Sequence, residues 1–341
     1  MIMLNWLHSL RIPKTDWTQI EISSHCNANC EYCPHTVYRE AWKQRFMTMD
    51  IYRRLLPALK KSQLAYLQGW GEPFLHPDFF TLVSLAKQAG CLVGTTSNGK
   101  QMKEDTLARI VDSGIDILAF SLACANETND SIRRGTSFEQ ILAAIRTLNQ
   151  MKKEKNTGNP AIHIAYLLLR SQLDEVKKIL SLLKGKGIHQ LVITTLDFAP
   201  SREVAVEMVF PETDEEWNAL NSLLDSVVEE GRKNDLPIHY YLAHPNRPQT
   251  VCTENVRRAL FVSADGAVSP CVFMNLPVAD VTYFAKGEER EYQRLVFGRI
   301  QDESFANIWN RKSYVDFRRS FETGCLHDFC KDCCKRFTIL T

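Results

Sequence analysis

The chain has 341 residues, of which 45% are hydrophobic and 24% are charged, and its formal net charge is +1. This composition is typical of a globular protein, and the near-neutral charge gives no electrostatic reason to expect binding to nucleic acid or to a membrane surface. Residues 1–14 lack a secretory signal pattern, and no apolar run reaches the roughly 18 residues of a membrane span. We therefore predict a cytoplasmic protein without a transmembrane helix.

Residues 17–197 alternate between strand-like and helix-like patterns. Alternating or short wholly apolar segments predict strands, and the segments between them have helical spacing and mostly end at glycine. Six successive strand–helix units predict parallel strands joined by right-handed crossovers, as an open doubly wound sheet or a partial barrel, with ligands at the carboxyl ends of the strands. The six predicted strands are WTQIEIS, AYLQGW, CLVGTTS, IDILAFSLA, AIHIAYLLL and HQLVITTL.

The pattern changes after Phe198. An amphipathic helix follows, with Thr213 as its expected cap, and ALFVSADGAVSPCVF then predicts a β-hairpin that turns at Asp265-Gly266. We therefore predict three parts, namely a strand–helix domain over 1–198, a linking helix and loop over 199–245, and a smaller domain over 246–341.

Eleven cysteines in a chain without a secretory signal argue against a disulfide framework. Three of them lie in SSHCNANCEYCPH (23–35), spaced C-x3-C-x2-C, and six lie in the last quarter of the chain. Two such groups, far apart in sequence, indicate two metal sites in two domains. A structural zinc site needs four ligands, whereas three thiolates would leave one iron of a four-iron cluster free to bind something else.

The C-x3-C-x2-C spacing, with Tyr32 directly before the third cysteine, resembles the signature of the radical S-adenosylmethionine (SAM) superfamily. This resemblance implies a partial (β/α)6 barrel and a four-iron (4Fe–4S) cluster held by Cys26, Cys30 and Cys33. It also implies that SAM binds the open iron through its amino and carboxylate groups, and that one electron cleaves SAM to a 5′-deoxyadenosyl radical. The expected electron donor is a reductant such as flavodoxin or ferredoxin.

Three further motifs resemble SAM-binding segments of this superfamily, and each falls at the end of a predicted strand. QGWGEP (68–73) resembles the GGE motif, with Trp70 in place of the first glycine, and TTSNG (95–99) and FSLA (120–123) follow the next two strands. Arg170, which follows the fifth strand, is a candidate partner of the SAM carboxylate because arginine binds carboxylates in a bidentate fork. The other SAM contacts that the resemblance implies are Tyr32, Gly71, Glu72, Ser97, Asn98 and Ser121.

The sequence departs from the superfamily after the fourth strand, where many relatives read S-L-D-G and this chain reads S-L-A-C (121–124). Cys124 is therefore expected near the rim of the site, either as a small apolar filler or as a hydrogen-atom donor in catalysis. Cys91 is expected in the core at the opposite end of the sheet. Arg133 and Arg134 either form a solvated pair or contact SAM or the substrate.

The C-terminal cysteines resemble the auxiliary-cluster region of the SPASM and twitch subfamilies, through C-x13-G-x4-C (252–271) followed by C-x2-C (330–333). A zinc ribbon is the alternative, because C-x2-C pairs also bind zinc. Cys325 and Cys334 are left over. Either could replace an assigned ligand, and a second, incomplete auxiliary cluster stays open as an alternative. The resemblance favours one auxiliary 4Fe–4S cluster in a twitch-like α+β domain, with the ligands Cys252, Cys271, Cys330 and Cys333.

These resemblances imply an enzyme that abstracts hydrogen from a small metabolite or a peptide, with the auxiliary cluster aiding oxidation or cross-linking. A second hypothesis is a maturase of ribosomally synthesised peptides, although about 16 residues precede the first strand and many such relatives carry a longer leader-binding domain there. Two hypotheses of a different class are a non-catalytic iron–sulfur electron carrier and a zinc-stabilised binding module. The substrate and the net reaction are left open, since fold and family do not fix them.

Overall fold

The computed structural model describes residues 12–340. Residues 1–14, for which we predict no secretory signal, therefore lie mostly outside the described part of the chain. Within residues 12–340, no helix has both the length and the apolar character needed to cross a membrane.

One large sheet and two small ones contain the strands. In chain order, the strands are β1 (Thr15–Ile20), β2 (Asn29–Cys30), β3 (Ser62–Leu67), β4 (Leu92–Ser97), β5 (Ile117–Leu122), β6 (Arg133–Arg134), β7 (Ala161–Leu168), β8 (Gln190–Thr195), β9 (Ile238–Ala243), β10 (Ala259–Val262), β11 (Ala267–Ser269), β12 (Thr282–Ala285), β13 (Glu288–Glu291), β14 (Gly298–Arg299) and β15 (Thr338–Leu340). The large sheet has 11 strands in the order β14-β11-β10-β1-β3-β4-β5-β7-β8-β9-β15. The pairs β2–β6 and β12–β13 form the small sheets.

The six predicted strands are confirmed as β1, β3, β4, β5, β7 and β8. They lie side by side and run parallel, so their carboxyl ends meet at one edge of the sheet. Side chains on alternate positions of β7 are buried, as expected for a strand with one face on the core and the other less covered. This edge is where the predicted site residues of β3, β4 and β5 gather.

Helices connect the parallel strands and pack their apolar faces on the sheet. The predicted Thr213 cap is confirmed, because its hydroxyl accepts the N–H of Glu216. Ser137 caps another helix in the same way, since its hydroxyl accepts the N–H of Gln140. The helices are α1 (Pro34–Val37), α2 (Met49–Leu59), α3 (Phe79–Gln88), α4 (Glu104–Asp112), α5 (Thr128–Ile132), α6 (Phe138–Glu154), α7 (Lys178–Leu183), α8 (Arg202–Val206), α9 (Asp214–Lys233), α10 (Phe305–Asn310), α11 (Lys312–Thr323), α12 (Asp328–Lys331) and α13 (Cys334–Phe337), with 3-10 turns at Pro73–Leu75, Arg170–Glu175 and Val272–Met274.

The helix expected after the fifth predicted strand is shorter than its pattern suggested. Residues 170–175 form a 3-10 turn, and only Lys178–Leu183 are α-helical. Side chains from outside hold this turn, because Ser171 donates its N–H to the Glu207 carboxylate and Glu175 accepts a bond from Asn126. Tertiary contacts thus override the helical periodicity of the segment.

The C-terminal half of the chain extends the same sheet at both edges. β9 pairs in parallel with β8, so the segment expected as a linking helix and loop contains α9 followed by a further sheet strand. β10 pairs in parallel with β1, and β15 pairs antiparallel with β9. The predicted hairpin is confirmed as β10–β11, and its turn residue Gly266 has a φ of +75°, which favours glycine.

One hydrophobic core joins the two halves. Tyr52 of α2 and Ile20 of β1 belong to the same buried cluster as Val268 of β11 and Tyr314 of α11. The ring of Tyr314 stacks on Phe297 with centroids 4.2 Å apart. The C-terminal region is therefore held against the chain's own first strands by packing as well as by strand pairing.

Candidate functional site

The three N-terminal cysteines lie in the loop after β1, and neighbouring segments hold this loop in place. Ser24 donates its N–H to the carbonyl oxygen of Arg45 over 2.9 Å. On the other side, Glu72 donates its N–H to the carbonyl oxygen of His25 over 2.8 Å. Because buried backbone groups need defined partners, these bonds fix the backbone directly before Cys26.

Gly71 is required by the close approach of this loop to the end of β3. A Cβ atom at position 71 would lie 2.3 Å from the carbonyl oxygen of Ser23 and 2.5 Å from that of His25. Any side chain at position 71 would therefore push the cysteine loop away. The atoms that come this close to Gly71 belong to the backbone of the cysteine loop itself. A contact of Gly71 with SAM stays a prediction.

Cys26, Cys30 and Cys33 lie close enough together for their charges to interact. Burial, together with the negative charges of Glu72 and Cys30, raises the pKa of the Cys26 thiol to about 11. Burial, followed by Cys30 and Cys26, raises the pKa of Cys33 well above its usual range. Such thiols suit a metal cluster, because coordinated metal stabilises the thiolate that burial disfavours.

The spacing of these side chains is not that of a mononuclear metal site. Within residues 12–340, no three His, Cys, Asp or Glu side chains are arranged to hold a single metal ion. A four-iron cluster places its thiolate ligands on different irons, so the thiolates stand further apart than ligands of one ion do. The assignment of Cys26, Cys30 and Cys33 to a four-iron cluster stays a prediction.

Glu72 connects the ends of β3 and β4 to the cysteine loop. Its carboxylate accepts the Ser97 hydroxyl at 2.9 Å and the N–H of Asn98 at 2.8 Å. Asn98 in turn donates its side-chain amide to Cys26 Sγ at 3.8 Å and to Asn27 Oδ1 at 2.9 Å. Burial raises the pKa of Glu72 to about 7, although these hydrogen bonds oppose the shift. Four of the predicted site residues thus form one buried hydrogen-bonded group.

A second group consists of half-buried Tyr32 and buried Arg133. The Arg133 guanidinium donates a hydrogen bond to the Tyr32 hydroxyl, and Arg133 is 7% exposed. Arg133 also interacts electrostatically with all three thiols of the loop, and its buried Nε has no hydrogen-bond partner among residues 12–340. A buried cation with an unused donor beside three thiols is suited to an anionic group of a bound ligand.

Ser121 and Cys124 lie at the end of β5. Phe120 pairs in register with Ser97, so half-buried Ser121 continues the row of polar residues at this edge. Cys124 is buried, and its thiol donates to Gln172 Oε1 at 3.3 Å. It packs in an apolar cluster, which agrees with its interpretation as a filler, and the hydrogen-donor role stays a prediction.

The structure does not bring Arg170 to the cysteine loop. Its guanidinium pairs with Glu216 at 3.0 Å and donates to the carbonyl oxygen of Met208 at 3.2 Å. These partners lie on α9 and in the segment before it. They bind the guanidinium N–H groups of Arg170 that were expected to bind the SAM carboxylate. Arg133, by contrast, lies beside the cysteine loop, where it pairs in register with Cys30 and binds Tyr32.

The four predicted auxiliary ligands converge in the C-terminal half. Burial and the charge of Cys333 raise the pKa of Cys252 to about 12. The charges of Cys252, Cys330 and Cys333 all act on Cys271, whose pKa burial already raises well above its usual range. These interactions link all four thiols, so they lie near one another in the fold. Cys325, by contrast, is exposed and stands apart from this group.

Cys334 belongs to a buried charge network that joins β8 to the auxiliary group. Its thiol interacts with Cys333 and donates to Asp197 Oδ1 at 3.2 Å. Asp197 also pairs with Lys335 at 2.7 Å, and Lys335 lies 3.7 Å from Glu254, near Cys252 in the sequence. Asp197 thus gives the buried Cys334 thiol a hydrogen-bond partner beside Cys333, and whether Cys334 replaces one of the four predicted ligands stays open.

A cavity of about 730 Å³ lies between the carboxyl ends of β7 and β8 and the auxiliary cysteines. Cys333, Cys334 and Asp197 line one part of it, and aromatic side chains line another. Pairing cancels much of the charge in its wall, as for Lys286 with Asp332 at 2.8 Å. The aromatic lining residues are Phe198, Phe210, Tyr283, Phe284 and Phe329.

Comparison with known families agrees with this geometry. Residues 20–183 match the model of the radical SAM superfamily. Residues 252–334 match the model of the SPASM iron–sulfur cluster-binding domain. The chain therefore belongs to the radical SAM superfamily. Within it, the chain is an enzyme that carries a C-terminal SPASM-type domain, and its cofactors are SAM, a SAM-binding 4Fe–4S cluster and auxiliary iron–sulfur.

Individual relatives span nearly the whole chain. The tungsten-containing aldehyde ferredoxin oxidoreductase cofactor-modifying protein of Pyrococcus furiosus is 24% identical over 326 residues, covering 93% of this chain and 86% of that protein. The PqqA peptide cyclase of Gluconobacter oxydans is 21% identical over 317 residues, covering 92% and 81%. The structure of Streptococcus suis SuiB bound to S-adenosylmethionine matches with a TM-score of 0.66 at 12% identity, over 98% of this chain and 74% of that one. The last match concerns the fold alone.

Sequence reasoning missed two residues of this region. Asp197 directly follows the last predicted strand. Ser97 and Ser121 were chosen because they are polar residues at the carboxyl ends of parallel strands, and the same criterion would have included Asp197. Lys335 carries no comparable signal, because one lysine after two cysteines is ordinarily solvated. Its role becomes visible only when folding places it between two carboxylates.

Proposed function

We propose that Cys26, Cys30 and Cys33 hold the SAM-binding cluster. The observation that carries this assignment is the buried link from Cys26 through Asn98 to the Glu72 carboxylate, because it joins the thiols to the polar strand ends in one site. When bound, the reduced cluster supplies one electron that cleaves SAM to methionine and a 5′-deoxyadenosyl radical, which abstracts hydrogen from the substrate. The other residues of the proposed site would position SAM and exclude water.

The chain's own residues would bind the two ends of the methionine part of SAM. Glu72, at the end of β3, offers a buried carboxylate to an ammonium group, and a bound cation would favour its charged form. Arg133 offers its free Nε to a carboxylate, and its charge also offsets the negative thiolates. Ser121 and Gly71 line the same edge. We assign Arg133, in place of Arg170, to the SAM carboxylate.

The experiment that tests this function is SAM cleavage by the anaerobically reconstituted protein. With dithionite as reductant, 5′-deoxyadenosine and methionine are expected in equal amounts. Metal analysis is the companion measurement, because iron with sulfide supports the assignment. Protein that contains intact clusters yet forms no 5′-deoxyadenosine would contradict the proposal and favour an electron carrier.

We further propose that Cys252, Cys271, Cys330 and Cys333 hold one auxiliary 4Fe–4S cluster with no open position. Four thiols that interact with one another supply a full set of ligands. The substrate would bind in the adjacent cavity, within reach of Cys333. Asp197 lines this cavity and is the carboxylate best placed to accept a proton when the substrate is oxidised.

The cavity volume supports a small organic molecule as the first candidate substrate. About 730 Å³ is within the range of small-molecule sites, and the Pyrococcus furiosus relative is by name a cofactor-modifying protein. A peptide is the second candidate, which the name of the PqqA peptide cyclase supports. Both would meet the aromatic wall of the cavity, but a peptide would enter it with one or two residues only.

The two candidates can be separated without knowing the substrate. Extract fractions that stimulate SAM cleavage are treated with protease and divided by molecular mass. A small-molecule substrate predicts stimulation by a low-mass fraction that resists protease, and loss of stimulation after protease treatment would favour a peptide. The variant Ala285→Trp, which narrows the cavity, should lose stimulation but keep basal SAM cleavage.

Reductive cleavage also requires an electron donor, and we propose an acidic carrier protein such as flavodoxin or ferredoxin. Such a carrier must approach the cysteine loop from outside, since electron transfer between proteins needs short distances. The surface beside this loop is therefore expected to carry the complementary positive charge.

A further inference from the structure

The segment 42–46 runs directly beside the backbone that leads into Cys26. Ser24 Oγ donates to the carbonyl oxygen of Lys43 at 3.1 Å, and the N–H of Arg45 donates to Ser24 Oγ at 2.7 Å. Ser23 and Phe46 form an antiparallel bridge. The backbone of this segment is thereby fixed relative to the proposed cluster.

An exposed aromatic ring lies within this segment. Phe46 is 38% exposed, and its ring stacks on His25 with centroids 4.2 Å apart. His25 directly precedes Cys26 in the chain. Val37, which is 39% exposed, ends helix α1 just after Cys33. Large apolar side chains with such exposure are few within residues 12–340, and these two flank the cysteine loop.

Four cations contact the cysteine loop or lie on the segment beside it. Lys43 and Arg45 are exposed, and within the described residues neither pairs with a carboxylate. Arg39 donates to Asn29 Oδ1, and Lys100 Nζ donates to the carbonyl oxygen of Asn27 at 3.0 Å, so both lie on the loop itself.

Negative charge close to these cations is mostly paired. Glu21 and Asp265 share a small pocket with Lys43 and Arg45, but Arg294 and Arg299 pair with Asp265 there. Glu31 lies on the loop, and Arg134 pairs with it. Glu40 follows Arg39 and is exposed. The chain as a whole carries a net charge of only +1, so this surface is more basic than the average surface of the protein.

We propose that this surface docks an acidic one-electron carrier protein that reduces the cluster of the cysteine loop. We call it the donor face and define it by Val37, Arg39, Lys43, Arg45, Phe46 and Lys100. The proposal rests on the proposed function, because only a cluster at Cys26, Cys30 and Cys33 needs an electron here. In each cycle the carrier loses one electron and SAM gains it on cleavage, so no further oxidant or reductant is required.

The composition of the donor face suits a transient electron-transfer complex. Such interfaces are small, and opposite charges speed the encounter rather than tighten the final complex. A ring of cations around a small apolar centre matches a carrier with acidic residues around its exposed cofactor. The stacked rings of Phe46 and His25 place the docking point next to Cys26.

The test compares a protein donor with a chemical one. The variant K43E/R45E is assayed for 5′-deoxyadenosine formation with reduced flavodoxin, with reduced ferredoxin, and with dithionite. With the protein carriers, the rate at low salt should fall roughly tenfold or more, since steering accounts for factors of that size. With dithionite the rate should equal that of the wild type, because the charge reversal leaves the loop's backbone bonds intact.

The matched control reverses two exposed lysines at the opposite edge of the sheet. The carbonyl oxygen of Lys61 accepts the N–H of Thr15, the first residue of β1. Lys60 and Lys61 therefore lie at the amino end of β1, whereas the cysteine loop follows its carboxyl end. This control should retain the rates of the wild type with every donor. Added salt should slow carrier-driven turnover of the wild type and leave that of K43E/R45E unchanged.

Two results would overturn the proposal. One is a K43E/R45E variant with the carrier-driven rate of the wild type, and the other is a wild type that turns over with dithionite but with neither carrier. A wild type that forms no 5′-deoxyadenosine even with dithionite would instead contradict the proposed function.

Discussion

The side-chain amide of Asn98 donates a hydrogen bond to the thiol sulfur of Cys26 across 3.8 Å. The same amide holds Asn27 Oδ1, and the backbone N–H of Asn98 binds Glu72. One residue at the end of β4 therefore orients both a proposed cluster ligand and a proposed SAM ligand. A polar group at the carboxyl edge of the sheet thus contacts the protein's own cysteine loop.

The first prediction concerns this link. Asn98→Ala should lower the rate of SAM cleavage roughly 10- to 100-fold, because residues that orient metal ligands typically matter by that much. The 5′-deoxyadenosine rate and the iron content of the reconstituted protein are measured together. Asn149→Ala, in a site far from the loop, is the control. Full activity of Asn98→Ala would mean that the bond to Cys26 does not position the cluster.

The second prediction separates the two metal centres. Cys330→Ala should keep SAM cleavage but abolish product formation from a stimulating substrate, because it removes a ligand of the auxiliary group only. Wild-type protein should contain about eight iron ions per chain, and Cys330→Ala about four, if each centre holds a four-iron cluster. Exposed Cys325→Ala should match the wild type in both respects. Equal loss of cleavage and product in Cys330→Ala would make the auxiliary cluster a structural element.

The third prediction concerns pH and stability. Burial raises the pKa of Glu21 from 4.5 to about 7, against the hydrogen bonds from the N–H groups of Trp70 and Ala264. Since the folded state binds this proton more tightly, its stabilising effect is complete below pH 4.5 and is lost as the pH rises through 7. The unfolding free energy of the wild type should therefore fall relative to Glu21→Gln over this range, by up to about 3 kcal/mol. An unfolding free energy that changes with pH by the same amount in the wild type and in Glu21→Gln would contradict this prediction.

The fourth prediction tests the buried network around Lys335. Lys335→Met leaves the Asp197 and Glu254 carboxylates buried without a counter-ion, which should lower the unfolding free energy by roughly 3–5 kcal/mol. The neutral triple variant Lys335→Met/Asp197→Asn/Glu254→Gln should regain much of that loss, because no uncompensated charge remains. A loss of less than about 1 kcal/mol in Lys335→Met, as for an exposed pair, would show that water reaches the network.

The sequence predicted the parts of the site that depend on local pattern. Strand alternation located the ends of β3, β4 and β5, and the side chains of Glu72, Ser97 and Asn98 do converge there. Position at a strand end does not determine where a long side chain points. Arg170 illustrates this limit, since its guanidinium forms an ion pair with Glu216, which lies on a helix distant in sequence.

Non-local pairing was the second limit. β9 and β10 are short and look like linker or hairpin segments, and only their pairing with β8 and β1 makes them part of the central sheet. The same holds for Lys335, whose partners Asp197 and Glu254 are distant in sequence. Burial and charge compensation arise from the assembled fold, so single-sequence patterns do not reveal them.

The most direct test of the central claim is electron–nuclear double resonance of the reduced, reconstituted protein with SAM labelled at its amino nitrogen and its carboxylate carbon. If the cluster of Cys26, Cys30 and Cys33 has an open iron, both labels should show hyperfine coupling to the cluster. Cys330→Ala should retain the coupling, and Cys30→Ala should lose it together with the cluster. An intact, reduced cluster at these cysteines without coupling to either label would contradict the account.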